Sequence, residues 1–519
     1  MIPPSLSALN KTPRRALSAL ALAAFLFNSA AAARAQQPVP APSTPTPPAA
    51  EGKTRLVTVD DVVQMALTNN LDILITKYTP IQDQFALNGL FSAYDPSLSL
   101  SASRSLNTEP GQYFPSFNFY ASSASTISDS YSASLGGLLP FGLNYTLAAP
   151  LSLQTSPFTQ YNSSPSLTLS QPLLKNSWVD NSRYQIQLSR KLLRNDLLAL
   201  RLQMENSINA AKAAYFNLIA ARENVAVQTA AVALARQLVD ENTKKVQLGS
   251  MAPLDQRQAE SQAASSQSDL LAAQLAQAVQ ENTLKSLLAL HYDEWRDVTP
   301  VPAETLLAVP EQPDLSESLR RAIESRPEML QAKITIEKQH LAIKYTQNQL
   351  YPELDLKGSY GFNSVGATFG TTWDTIRQGT DPSYSYGLTL TVPLENTAAR
   401  NAYKSAKATL EQSLLQLKKV EVNIVVAVDN DIKTVRSDLL RVEATRQARE
   451  YAEDALRAGN IRLQAGSTTS FEVLQLQSNL TTARSAEIRA LADYNIALEQ
   501  LALDEGQTLE RSKLDIKMP

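Results

Sequence analysis

From Leu173 to Leu248 the chain holds neither proline nor glycine, and its apolar residues recur every three or four positions. Leu394 to Ala458 repeats that pattern. Both runs are rich in Ala, Leu, Gln, Glu, Lys and Arg, the residues that cost least in a helix. The spacing predicts two long helices, over 173–248 and 394–464, and shorter ones over 59–91, 253–290, 315–350 and 470–505. A helix of seventy residues is a rod of roughly 105 Å, which must lie against something equally long. The shorter helices supply such partners end to end: 253–290 with 315–350 along the first rod, and 470–505 with 59–91 along the second. Their seams use Ala and Ser, which lets helices approach closely, and Gln elsewhere suits a wet face.

A period of two marks the remaining ordered stretches. In SYSYGLTLTV (383–392), Tyr384, Tyr386, Leu388, Leu390 and Val392 share one face, with small polar residues on the other. Leu354, Leu356, Gly358, Tyr360 and Phe362 alternate likewise, as do Leu98, Leu100 and Ala102, and Leu167 and Leu169. An apolar face with aromatic ends opposite a small polar face is the pattern of a membrane barrel, although half-buried soluble strands share it. About four strands are predicted, too few to close a water-filled barrel alone. In a bilayer every strand edge must be paired, so several copies would have to share one barrel.

The chain is also duplicated. ALTNNLDIL (66–74) aligns with AIESRPEML (322–330) at an offset of 256, and PSLSL (96–100) with PELDL (352–356) at the same offset. LTLSQPL (167–173) aligns with LTLTVPL (388–394) at 221, and GSMAPLD (249–255) with GSTTSFE (466–472) at 217. Matches in one order with drifting offsets indicate two copies of a unit, here 58–310 and 311–506, followed by a tail over 507–519. The first copy holds about 35 extra residues between its strands, including 131–149, which suit either an added hairpin or an enlarged loop.

Composition narrows the setting. Residues 1–35 have a basic start, an apolar run and an Ala33-Arg34-Ala35 site, the layout of an export signal. Residues 36–57 read as a Pro/Ala-rich linker. Without the signal the chain has 43 basic and 50 acidic residues, which argues against a nucleic-acid partner. With no cysteine, neither a disulfide, thiol catalysis nor a lipid-bearing cysteine is available. No later segment has eighteen uninterrupted apolar residues. His291 and His340 are isolated, and no metal, phosphate-loop or hydrolase motif accompanies them, so neither an enzyme nor a cofactor is expected.

With these features together, the chain resembles the TolC-type outer membrane efflux proteins from about Thr58 to Gly506. The resemblance implies a long antiparallel α-helical barrel continuous with a transmembrane β-barrel, both completed by trimerisation. It implies a homotrimer in the lipid of the cell outer membrane, its helices in the periplasm. There it would be the exit duct of an efflux pump or type I secretion system, docked on a periplasmic adaptor and an inner-membrane transporter. It also implies an acidic constriction near the tip, where Asp255 and Glu472 match. Both suit helix caps as well, because Thr469-Ser-Phe-Glu472 has capping-box spacing and Pro253 suits a first turn. The family's next acid is replaced by Gln258 and Gln475, and a family arginine by Thr468, so that network is altered. Gly249, Ser250, Gly466 and Ser467 make the turns, with glycine left-handed after the helix, and are candidates to touch the adaptor. Gly459 is read as loosening the second long helix. Two other classes compete. An adaptor would have one hairpin between lipoyl-like halves, and an adhesin would show sustained Leu/Ile/Val heptads.

Overall fold

The computed structural model describes residues 53–155 and 159–512. The export signal and nearly all of the linker lie outside the described residues. The linker expectation fails at its end, because β1 (Lys53–Val57) pairs in parallel with a later strand. In chain order there follow α1 (Val59–Asn69), α2 (Leu71–Leu90), β2 (Ser97–Glu109), and the short ribbon β3 (Tyr113–Phe114) and β4 (Phe119–Tyr120). Next come β5 (Ala124–Leu138), β6 (Asn144–Gln154), β7 (Gln160–Ser163), β8 (Ser166–Pro172), α3 (Asn181–Gln247) and α4 (Pro253–Leu288). The first copy ends with α5 (Tyr292–Trp295) and β9 (Val298–Pro302), the partner of β1. The second copy is α6 (Leu315–Ser325), α7 (Pro327–Asn348), β10 (Glu353–Phe362), β11 (Ser364–Gly366), α8 (Phe369–Gln378), β12 (Pro382–Thr391), α9 (Thr397–Gln464), α10 (Ser470–Asp504) and α11 (Thr508–Arg511).

The two long helices are present, and α3 starts eight residues later than its proline-free run begins. Residues 173–180 first leave the sheet, with the Leu173 and Lys175 amides bonded to Leu354 and Pro352, and Asp180 then caps α3. By length and composition alone, α3 is apolar enough in one stretch to cross a membrane. The helix nevertheless carries buried Glu205 and Lys212, and its Ala211–Ala220 stretch lies in the main core with Val62, Leu284 and Leu288. It is a core helix.

The half-length helices stack end to end, but in the opposite pairing from the one length suggests. Beside α3 lie α4 and α2, joined where Asn69 and Asn70 donate side-chain amides to the Leu288 and Leu287 carbonyls, both at 3.2 Å. Between α3 and α9 lie α10 and α7, joined where the Schellman turn at Gly506 meets Ser325 and Arg326. The reason is the path of residues 289–314. They carry the chain from α4 around to α9, where Tyr494 on α10 donates its hydroxyl to the Val309 carbonyl at 2.6 Å. The duplicated ALTNN and IESRP motifs thus sit at these two joints.

The sheet also exceeds expectation. Eight strands run in six antiparallel lanes: β2, β5, β6, β7 with β8, β10 with β11, and β12. The extra residues of the first copy are therefore strands, not a loop. The 353–393 stretch is interrupted by α8, which Thr368 caps at its start and left-handed Gly379 ends.

Candidate channel wall and helical tip

The register sorts the sheet into two surfaces. Leu98, Leu135, Leu147, Leu167, Tyr360 and Tyr384 are paired neighbours across all six lanes. Parallel rows on that face carry Leu100, Leu151, Leu169, Leu356, Tyr386 and Leu388. The opposite face is rich in hydroxyls: Ser99, Ser101 and Ser103 face Ser134, Ser132 and Ser130, and Ser359 faces Ser385, with Asp355 and Lys357 on the same side of β10. Cross-strand hydroxyl pairs form at 2.8 Å between Ser101 and Ser132 and between Ser359 and Ser385. Period-two alternation therefore builds a wall with one oily and one wettable side.

Where the oily side turns small, a helix covers it. Ser163, Ser364 and Gly366 replace large residues there, and the Ser364 hydroxyl donates to the Thr372 carbonyl of α8 at 2.7 Å. A Cβ on Gly366 would come within 2.6 Å of the Thr371 and Thr372 hydroxyls, so the glycine permits the contact. Phe369 and Trp373 stack on the exposed side of α8.

Both edges of the wall are open. Among the described residues β2 pairs only with β5, and β12 only with β10, and every residue of both strands is exposed. The apolar strip continues into the helices at each edge. Ile75, Tyr78 and Phe85 on α2 follow β2, and Leu415, Val422, Val426 and Leu440 on α9 follow β12, all exposed. Long exposed edges with apolar flanks demand a partner.

At the far end the duplicated turns are alike. The Ser250 and Gly249 amides donate to Lys245 and Val246 carbonyls at 2.9 and 3.0 Å, and the Ser467 and Gly466 amides to Arg462 and Leu463 at 2.9 and 3.1 Å. Each is a Schellman motif with its glycine at φ +72°. Both pairs, Gly249 and Ser250 and Gly466 and Ser467, are exposed at the tip. Asp255 lies half-buried in the first turn of α4, and among the described residues its carboxylate has no cation partner. Glu472 differs. Its amide is capped by Thr469 at 3.3 Å, while its carboxylate turns to Arg462 at 3.1 Å and to the Thr468 hydroxyl. Only half of the expected capping box forms. Gln258 is half-buried, and exposed Gln475 donates to Asn479 at 3.0 Å.

Two features of the tip escaped the sequence reading. Fully buried Asn242 accepts from the Ser470 hydroxyl at 3.3 Å and donates to the Asp255 carbonyl at 3.5 Å, which clasps the two hairpins side by side. Its equivalent at offset 217 is Gly459, which is not a loose point. Gly459 is buried within unbroken α9, where an added Cβ would meet the Leu476 Cδ1 at 2.5 Å. In the second hairpin Gly459 meets larger Leu476, and the aligned positions of the first hold larger Asn242 and small Ala259. Small and large have changed sides between the repeats, a swap visible in their alignment once the Gly459 contact is known.

The comparisons agree with this geometry. Residues 318–504 match the family model of outer membrane efflux proteins. Outer membrane protein TolC of Escherichia coli (strain K12) is 25% identical over 306 residues, 56% of this chain. The match spans 58% of that relative's length. The Campylobacter jejuni CmeC outer membrane channel superposes with a TM-score of 0.65 at 17% identity, covering 88% of this chain and 90% of its own. VceC of Vibrio cholerae gives 0.63 at 16%, covering 86% and 96%, and the open MtrE channel of Neisseria gonorrhoeae 0.62 at 16%, covering 87% and 89%. Residues 318–504 thus match outer membrane efflux proteins in sequence, and the fold of TolC-like channels runs through both halves of the chain.

Proposed function

We propose that copies of this chain assemble into a trimeric outer-membrane duct that passes solutes from an inner-membrane transporter and periplasmic adaptor to the exterior. The observation that carries the reading is the two-faced wall with two open edges. Set edge to edge, β12 and α9 of one copy meet β2, α2 and α4 of the next. This contact is heterologous and closes into a ring when the rotation allows. The oily face then meets lipid and the hydroxyl face lines the bore. Recovery as a soluble monomer after fractionation and native electrophoresis would overturn it.

At the tip, the turns at Gly249-Ser250 and Gly466-Ser467 are the surface offered to adaptor hairpins. Asp255 and Glu472, with Gln258 and Gln475 one turn on, line the closed constriction. Arg462 already neutralises Glu472 within its own chain, so Asp255 supplies the uncompensated charge of the ring. Asp255→Ala combined with Glu472→Ala is expected to raise closed-state conductance in planar bilayers, with Asp255→Ala alone giving most of the rise. Unchanged conductance would leave both acids as helix caps only.

A further inference from the structure

The hairpin of β5 and β6 is inserted inside the wall, not appended to it. β2 has no register with β8; it reaches the rest of the sheet only through β5 and β6. The two strands carry the same two faces as their neighbours, with Tyr131, Leu147, Leu151 and Leu153 beside the Arg104–Asp129 ion pair on one side and Ser128, Ser130, Ser132 and Ser134 on the other. A loop folded over the barrel mouth would have no need of that match. Resting on the trimeric assembly proposed above, we infer that each copy gives six lanes, so that the barrel has eighteen lanes and a wide, hydroxyl-lined bore.

Width follows from lane number. Lanes ~4.8 Å apart and tilted by ~40° occupy ~6.3 Å of circumference each, so six lanes cover about 38 Å of arc and four cover about 25 Å. The helical layer stands four helices abreast: α4 or α2, then α3, then α10 or α7, then α9. At interaxial distances of 8–10 Å these four cover roughly 32–40 Å. Six lanes therefore span about the same arc as four helices. Eighteen lanes give a backbone diameter of about 36 Å, against about 24 Å for twelve. Serine projects little into that space, and the charged Asp355 and Lys357 lie beside each other on β10. The portal thus imposes no narrower size limit than the helical tunnel, which suits bulky polar solutes. Selection by size then falls to the tip.

The absence of native cysteine makes a direct test clean. Leu356→Cys, in β10, and Leu147→Cys, in the inserted hairpin, both lie on the oily face and each accepts a single spin label. In a trimer, equivalent backbone points lie about 31 Å apart for eighteen lanes and about 21 Å for twelve. An outward label lengthens both distances alike, so the difference of about 10 Å persists in electron–electron double resonance on the assembled full-length protein. The longer distance at both positions is the expected result. The shorter distance at Leu356 with a divergent one at Leu147 would overturn the eighteen-lane barrel and leave the duct standing. Absence of any inter-copy distance would overturn the assembly itself.

Discussion

Arginine at Leu167 is expected to remove the chain from the outer-membrane fraction, whereas arginine at neighbouring Thr168 leaves it there. Both positions lie in β8, in the middle of the wall, and both side chains are exposed. Leu167 stands in the oily row between Leu147 and Tyr360. Thr168 stands on the hydroxyl face between Thr146 and Ser359. A cationic side chain on the lipid face near the bilayer centre costs about 2–4 kcal/mol per chain, and the proposed trimer carries it three times. A lumen-facing charge meets water and costs little. The readout is heat-modifiable trimer in the membrane fraction, compared between two variants one residue apart. Equal loss in both, or in neither, would mean that the sheet does not face lipid on one side only.

This contrast rests on period two, the pattern most legible in the sequence. Each strand quoted from alternation alone proves to lie in the same sheet, with its apolar residues on the same side. The rods, their antiparallel returns and both Gly-Ser turns were legible for similar reasons, because proline and glycine punctuate a chain locally. Lateral arrangement was not. Length arithmetic paired α4 with the 315–350 helices, but contacts made by the crossing segment 289–314 decide that α4 meets α1 and α2 instead. The β5–β6 hairpin stayed ambiguous because Ser-rich alternation with Gly136 and Gly137 suits a loop as well as a strand. α8 was hidden because FGTTWDTIRQ is too short to show helical periodicity. At the tip, the chemistry of Glu472 was readable as a cap, but its ion pair with Arg462 depends on the turn bringing α9 and α10 together. Long-range juxtaposition is what one sequence conceals.

The two joints show what duplication conserves and what it releases. At the first, Asn70 caps α2 by accepting from the Asp72 and Ile73 amides and donates to the end of α4, all without charge. Its counterpart at offset 256 is Arg326, just before Pro327 at the break between α6 and α7. A neutral clasp in one copy is a charged one in the other. Arg326 pairs with Glu328 at 2.9 Å and with Asp504 at 3.2 Å, while Arg321 reaches Glu505 at 3.1 Å and Arg201 reaches Glu205 at 2.8 Å. With Asp431 the cluster has five carboxylates to three guanidinium groups, and Glu205 and Glu505 are almost completely buried. Burial first, then a hydrogen bond and repulsion from Asp504, push the Asp431 carboxyl up to about 8.

Arg326→Ala is therefore expected to destabilise each chain by about 3–5 kcal/mol, because it strips the shared cation from buried carboxylates. The pH dependence separates this from simple loss of packing. Asp431 keeps its proton in the folded protein and loses it in the unfolded chain near its ordinary 3.8. Its contribution is thus complete below about pH 4, declines as pH rises, and is gone above about 8. Asp431→Asn preserves shape and a donor toward Asp504 without that titration. It is expected to flatten the decline and to make the protein more resistant to heat at pH 8 than at its native sequence. Arg326→Ala should steepen the decline, since the cation that holds Asp431 down is gone, and adding Asp431→Asn should restore part of the loss. Thermal unfolding of the detergent-solubilised protein from pH 5 to 9 measures all three. A parallel downward shift of every variant, with slope unchanged, would show that the joint is held by packing and that its charges do not share a proton.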